Sequence, residues 1–211
     1  LSRRGFWGSI IPMHKNISLP PCSQLHDLLE QRLQYPERIP DIDQKIIDSF
    51  EKECAVFVLD MSGFSSVVQR HGIIHFLAMV QRMRSVVRPC VERYDGVVVK
   101  FEADNCFAVF PDVMQALDAA RDIRHELAVF NEHTPDESDV HVSIGIGFGR
   151  TLLFCDDLYG DQLNLASKLG EDVAEKNETL ITEQAHARVQ NIHSEILLVT
   201  ISGVKIHTHR V

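Results

Sequence analysis

The segment VVVKFEADNCFAVF, Val97 to Phe110, constrains the fold more than any other stretch, because two apolar runs lie back to back across a short charged turn. Such a pattern demands an antiparallel strand pair, and continuous apolar runs predict central strands packed on both faces. The turn carries Lys100, Glu102 and Asp104 in quick succession. Asp104-Asn105 is enough to make a bend for backbone reasons alone. Three charges beside two buried strands call for a further reason.

The hairpin sits within a longer alternation. Residues 1–21 are rich in turn formers and end in Pro20-Pro21, which reads as irregular chain. In SQLHDLLEQRLQ, Leu25, Leu28, Leu29 and Leu33 form a helical stripe that stops before Pro36. A second helix is predicted from Asp41 to Glu53, with Ile42, Ile46, Ile47 and Phe50 on one face. From Cys54 the pattern turns to strand. CAVFVLDM ends on Asp60-Met61, SGFSSVVQRHG opens a helix, and a longer helix runs from Ile73 to Tyr94. Beyond the hairpin come a helix in DVMQALDAARDIRHELAVFNEH, strands in DVHVSIGIGFG and RTLLFC, and a helix in YGDQLNLASKLGEDV. ETLIT is a short strand, EQAHARVQ a helix and EILLVTISGVKIHTHRV a terminal hairpin.

The resulting order, βααββαββαβαββ, indicates an α+β domain rather than a doubly wound one. Residues 1–50 read as an N-terminal extension, irregular then helical, linking to a sensor or membrane region beyond the sequence; residues 51–211 read as one domain. GIGFGR, Gly145 to Arg150, lies between two strands and lacks the strand-to-helix context of a dinucleotide fingerprint.

Bulk properties narrow the function. Of the 211 residues, 45% are hydrophobic and 24% charged, and no stretch approaches the roughly 18 apolar residues of a membrane span. The chain itself is therefore expected to make no membrane contact. A net charge of −9 argues against sequence-independent nucleic-acid binding, which needs a basic footprint. Cys22, Cys54, Cys90, Cys106 and Cys155 are scattered and odd in number, so they indicate neither a disulfide framework nor a zinc site. A reducing cytoplasm fits them best. GFWGSIIPM is too short and too interrupted for a signal peptide, and a start at Leu1 reads as a piece of a longer chain.

Two carboxylates stand out by position: Asp60 at the end of the first domain strand and Asp104 in the hairpin turn. If those strands are neighbours, both side chains meet at one sheet edge, where paired carboxylates hold Mg²⁺ or Mn²⁺. At this point three motifs, FVLDMSGFS, KFEAD and DLYGDQLNLASK, stand in the order and spacing of one family. Over about Cys54 to Val211 the sequence resembles the catalytic domain of the class III nucleotidyl cyclases.

The resemblance implies a palm-type, ferredoxin-like sheet with flanking helices, and conversion of ATP or GTP to the cyclic monophosphate and pyrophosphate. It implies two Mg²⁺ or Mn²⁺ ions per site on Asp60 and Asp104, with the Met61 carbonyl as a further ligand. Lys100 and Asp157 fall on the positions that read the purine, and Asn164 on the one that orients the ribose. Lys168 stands where the family has the Arg that stabilises the transition state, and a Lys point charge does not reproduce a guanidinium fork. The backbone amides of Gly63, Phe64 and Ser65, together with Arg150, are the implied triphosphate contacts, and Lys205 is a weaker one. Because the family divides its site between two chains and this chain carries both sets, the resemblance implies a homodimer.

Purine choice has a chemical argument of its own. Adenine offers an N1 acceptor and an N6 donor, which suit Lys100 and Asp157, whereas a carboxylate at position 100 would suit guanine. ATP is therefore the expected substrate, to be distinguished from a guanylate or dual-specificity enzyme and from a degenerate regulatory module. Each residue also has a plain structural reading: Asp60 as a helix cap, Lys100 as an edge-strand cation, Asp157 as a turn residue. The histidines show no metal-ligand grouping, and Met79 and Met83 read as core or dimer contacts.

Overall fold

The computed structural model describes residues 17–201 and 203–211. The irregular chain and the GFWGSIIPM segment expected before residue 17 lie outside the described residues. Two helices, α1 (Cys22–Gln34) and α2 (Ile39–Phe50), lead into strand β1 (Glu51–Met61). Helices α3 (Phe64–His71) and α4 (Ile73–Arg93) follow, then the hairpin β2 (Val97–Glu102) and β3 (Asn105–Phe110), and helix α5 (Val113–Asn131). The second half contains β4 (Val142–Phe154), β5 (Asp157–Tyr159), α6 (Asp161–Ser167), β6 (Thr179–Thr182), α7 (Glu183–His186) and the hairpin β7 (Glu195–Ile201) and β8 (Val204–Arg210).

The strands form one mixed sheet in the order β2-β3-β1-β4-β6-β8-β7, with β5 paired to β4 off that path. Only the β4–β6 pairing is parallel among the described residues. Strand β1 lies inside the sheet and is packed on both faces. Ala55, Phe57, Leu59 and Met61 face the core under α4 and α5, while Cys54, Val56 and Val58 join Leu153, Leu158 and Ala166 on the other side. The alternation follows from the two-residue period of a strand. It also assigns Asp60, on the parity of Val56 and Val58, to the α6 side.

Helix α4 buries Phe76, Met79, Val80, Met83, Val86, Val87 and Cys90 at helical spacing, and α5 buries Val113, Ala116, Leu117, Ala120, Ile123 and Leu127. Asp112 caps α5 by accepting a 2.9 Å bond from the Gln115 amide. Met79 and Met83 are thus core residues. Leu25, Ile42, Ile46 and Phe50 form a separate small core that docks α1 and α2 on Leu152 and Phe154 of β4.

Several local expectations are corrected. The second helix ends at Phe50 and β1 begins at Glu51, because the apolar face is complete at Phe50. Asn105 starts β3, and the bend is made by Ala103 and Asp104, with Ala103 at φ +50. Strand β2 is the sheet edge rather than a central strand, and Lys100 lies on it, half-buried. DVHVSIGIGFG and RTLLFC form one continuous strand, which pairs with β1 along its whole length from Glu51↔Leu152 to Met61↔Val142. The helix expected in YGDQLNLASKLGEDV is α6 preceded by β5 and followed by a π-helical turn, Lys168–Val173, while α7 stops at His186. Cys22 and Cys155 form a disulfide, with Cα atoms 5.7 Å apart. Their separation of 133 residues hid the pairing from a reading of spacing.

The glycines of GIGFGR have a packing role. A Cβ on Gly145 would overlap the Ala166 carbonyl and lie 2.6 Å from the Gly170 amide; one on Gly147 would come within 2.7 Å of the Gln162 carbonyl, and one on Gly149 within 2.9 Å of the Gln162 side chain. With no side chains on that face, α6 lies directly on β4. This close approach is what fixes Asn164 and Lys168 in space.

Candidate active site

Strands β1 and β3 pair through Leu59↔Cys106, so the carboxyl end of β1 and the β2–β3 turn lie at one edge of the sheet. Asp60 and Asp104 meet there. Burial first, then the negative charges of Asp104, Glu171 and Asp172, push the Asp60 carboxyl up to about 7, against a hydrogen bond from the Met61 amide. Glu171 is raised likewise, by burial and then by Asp172. A half-buried carboxylate among like charges is a poor anion on its own and a good ligand for a hard divalent cation, which relieves both penalties. The donor set therefore fits Mg²⁺ or Mn²⁺.

Glu171 and Asp172 did not stand out in the sequence. They reach the site because Gly170 in the π-helical turn packs where a Cβ would lie 2.9 Å from the Val58 carbonyl and the Gly145 amide. A Lys-Leu-Gly-Glu-Asp run on a predicted helix gave no sign of that approach. Met61 closes β1 with its side chain in the core, so only its backbone is left for a ligand role.

Gly63, at φ +97, precedes α3, and Phe64 and Ser65 make its first turn. Amides at a helix start have no partner within the helix and favour an anionic oxygen. A cleft of about 500 Å³ opens beside them, where Arg70, His71 and Lys176 face Asp136, Glu137 and Asp139.

Lys100 and Asp157 come together from β2 and β5. The Lys100 ammonium lies 3.1 Å from Asp157 Oδ1 and 3.0 Å from Glu102 Oε2. Burial works to lower the Lys100 ammonium, but the bonds to Glu102 and Asp157 outweigh it and hold it above the usual lysine value. Burial likewise works to raise Asp157, and is overcome by the Leu158 amide, Lys100 and the Tyr159 hydroxyl, so that it stays ionised below the usual carboxylate range. Glu102 has no firm role by sequence, yet it shares the lysine.

Asn164 and Lys168 lie on α6 and its extension and line a groove of about 520 Å³ against Ile201, Val204 and Ile206 of the terminal hairpin. Neither Asp60 nor Asp104 lines that groove. Lys168 Nζ is 2.7 Å from Asp172 Oδ2, one helical turn on. Arg150 is not brought to the Asp60 end: it pairs opposite Glu53, seven strand steps from Asp60 and roughly 23 Å away at 3.3 Å per residue. It is exposed and lies 3.5 Å from Glu51.

Similarity to known proteins extends to the fold and the family. A chain from Rhizobium meliloti (strain 1021), "Putative adenylate cyclase 3", is 24% identical over 135 residues, which cover 64% of this chain and 23% of that one. This chain thus spans about a quarter of that relative's length. Among solved structures, an adenylate/guanylate cyclase/hydrolase from Silicibacter pomeroyi superposes with TM-score 0.66 at 24% identity, covering 76% of this chain and 96% of that one. The adenylyl cyclase CyaB from P. aeruginosa gives 0.67 at 17%, covering 76% and 93%. The catalytic core of a rhodopsin-guanylyl cyclase with converted specificity, in complex with ATPalphaS, gives 0.65 at 21%, covering 76% and 97%. Residues 48–208 match the family described as the adenylate and guanylate cyclase catalytic domain, and the chain belongs to that family, the class III nucleotidyl cyclases.

Proposed function

We propose that this chain is an adenylate cyclase that converts ATP to cyclic AMP and pyrophosphate at a homodimer interface. The observation that carries the choice of ATP is the meeting of Lys100 and Asp157, a donor and an acceptor side by side where adenine presents N1 and N6. The relative from Rhizobium meliloti, named as an adenylate cyclase, supports the same reading.

In this reading the ribose 3′-oxygen attacks the α-phosphorus in line, and pyrophosphate leaves. Asp60 and Asp104 hold two divalent cations, with the Met61 carbonyl as an added ligand; when bound, these ions activate the 3′-hydroxyl and neutralise the phosphates. The α3 amides from Gly63 to Ser65 take phosphate oxygens. Asn164 orients the ribose, and Lys168 stabilises charge in the transition state. Neither Asp60 nor Asp104 lines the groove holding Asn164 and Lys168, although Lys168 is bonded to Asp172 of the acidic cluster around Asp60; in this reading the second chain of the dimer completes the site. Among the described residues no helix is long and apolar enough to cross a membrane, and ATP is an intracellular substrate. In this reading the domain works in the cytoplasm.

A second reading has one specific observation in its favour. Lys168 is paired with Asp172 and differs from the Arg that the resemblance implies, as a degenerate regulatory domain would. Cyclic nucleotide formation by the purified chain, with ATP and GTP compared in Mg²⁺ and Mn²⁺, separates the readings. Cyclic AMP that disappears in Asp60→Ala supports the cyclase. Nucleotide binding by intact dimers without turnover supports the regulatory domain, and cyclic GMP as the main product refutes the choice of ATP.

A further inference from the structure

The Cys22–Cys155 disulfide joins two regions that the catalytic reading leaves unrelated. Cys22 is the first residue of α1, in the N-terminal extension, and Cys155 lies in the turn between β4 and β5, two residues before Asp157. Cys155 is exposed, while Cys54, Cys90 and Cys106 are buried in the core. Asp156 Oδ1 lies 3.1 Å from the sulfur of Cys22 and 3.3 Å from that of Cys155.

Apart from Ile17 and Leu19, which pack against the cluster of Leu153 and Leu158, little secures this end of α1. Its N-cap is Pro21, no side chain caps it, its first turn has no acidic residue, and Leu25 is its one buried residue among those described. A first turn without a side-chain cap frays readily. The β4–β5 turn is likewise exposed at Cys155 and Asp156, and β5 is only three residues long. A covalent tie therefore orders both partners, and the strand it steadies carries the carboxylate bonded to Lys100.

We propose that Cys22 and Cys155 form a redox-active pair whose reactants are dithiols and whose state sets the affinity of the base-reading pocket, an inference that rests on Lys100 and Asp157 contacting the purine. In a reducing compartment a disulfide persists only as a transient, regulatory bond, and an exposed one is the accessible kind. A thiolate of the dithiol attacks the exposed Cys155 sulfur and expels the Cys22 thiolate. The second thiol then attacks the mixed disulfide, freeing Cys155 and leaving the reagent as its own disulfide. Two electrons and two protons pass to the protein. With the tie gone, the first turn of α1 frays, the β4–β5 turn gains freedom, and Asp157, still bonded to Lys100, is less firmly placed for the base. The oxidised chain is the tighter binder, because its pocket is ordered before the ligand arrives.

The test uses the full chain, oxidised with diamide or reduced with dithiothreitol. Alkylation with mass analysis reports the bond, hydrogen exchange reports residues 22–34 and 152–160, and titration with ATP and GTP reports affinity. The expected result is a bond that forms and breaks reversibly, faster exchange in both segments on reduction, and nucleotide affinity about 3- to 10-fold weaker. Cys22→Ser should show the weaker affinity at once and ignore the reductant. Free Cys22 and Cys155 after diamide overturn the proposal, as does an affinity that is the same in both redox states. If neither nucleotide binds either form while exchange still responds to reduction, the failure lies in the nucleotide reading, and the control of the base pocket falls with it.

Discussion

The ammonium of Lys100 is held between two carboxylates, 3.1 Å from Asp157 and 3.0 Å from Glu102. Its position is thereby set before any base arrives. Strand β2 is the sheet edge, so Lys100 also satisfies its plain reading as an edge cation; the pairing with Asp157 across to β5 goes beyond that role. An edge cation has no need of a half-buried carboxylate partner from another strand.

Reversing the charge at this position should reverse the base preference. In Lys100→Glu a carboxylate replaces the donor that adenine N1 requires and faces Asp157, while guanine N1-H and N2 gain an acceptor. A mispaired polar group in a binding site costs about 1–3 kcal/mol, or roughly 10- to 100-fold in selectivity. The ratio of cyclic AMP to cyclic GMP, measured from an equal mixture of ATP and GTP, should fall by at least about 10-fold. An unchanged ratio in a folded variant would remove Lys100 from base reading.

Lys168 stands where the resemblance implies an Arg. Its bond to Asp172 one helical turn on keeps the ammonium on the α6 side and half-neutralised. Transition-state charge stabilisation by one positioned group is worth about 100-fold or more in kcat. Lys168→Ala should therefore lower kcat by about 100-fold with KM changed little, and Lys168→Arg should exceed the parent chain, because a guanidinium engages Asp172 and phosphate oxygens together. A drop in KM-linked affinity with kcat preserved would place Lys168 in ground-state binding instead.

How far the sequence revealed this arrangement depended on whether a contact was local. The hairpin, the helices α4 and α5 and the Asp60 strand follow from local pattern, and Met79 and Met83 are core residues, although β2 lies at the sheet edge where its apolar run predicts a central strand. What escaped was decided by contacts distant in sequence. The approach of Gly170 to Val58 and Gly145 brings Glu171 and Asp172 to Asp60, and no local propensity encodes it. The extra strand β5 is held by pairing with Leu152 to Phe154, and the Cys22–Cys155 bond spans most of the chain. Even the glycines of GIGFGR, read correctly as something other than a nucleotide loop, disclosed their purpose only when α6 was seen lying on them.

One pH dependence follows from the α4–α5 junction. Asp122 accepts 2.8 Å bonds from the Tyr94 hydroxyl and from Arg93, and these hold its carboxyl below the usual range, against a small opposing effect of burial. A carboxylate with a depressed native pKa contributes stability that is complete above its unfolded value, near 3.9, and is lost as pH falls through the native value. Asp122→Asn should lower Tm by about 2–4 °C at pH 7, a modest loss because the group is partly exposed. Thermal melts across pH should show the two curves converging below about pH 4. A gap that persists undiminished at pH 2 would assign the loss to packing rather than charge.

The turn that carries Asp104 has its own clamp. Arg84 on α4 donates a 2.6 Å bond to the Ala103 carbonyl, and its guanidinium lies 5.2 Å from the centre of the Phe101 ring, as does that of Arg88. Ala103 sits at φ +50, a left-handed conformation that costs a non-glycine residue about 1–2 kcal/mol. The clamp offsets that cost and so holds Asp104 at the end of β1. Arg84→Ala should weaken Mn²⁺ binding by about 10-fold, read as a smaller rise in Tm on adding the ion, while the metal-free fold is retained. Adding Ala103→Gly should recover much of the loss, because glycine adopts the left-handed turn freely. Recovery would show that Arg84 acts through the backbone of the turn. If Arg84→Ala weakens the ion and the glycine restores nothing, the arginine acts on the site through its charge, and if Mn²⁺ binds the variant as it binds the parent chain, the turn keeps its shape without the clamp.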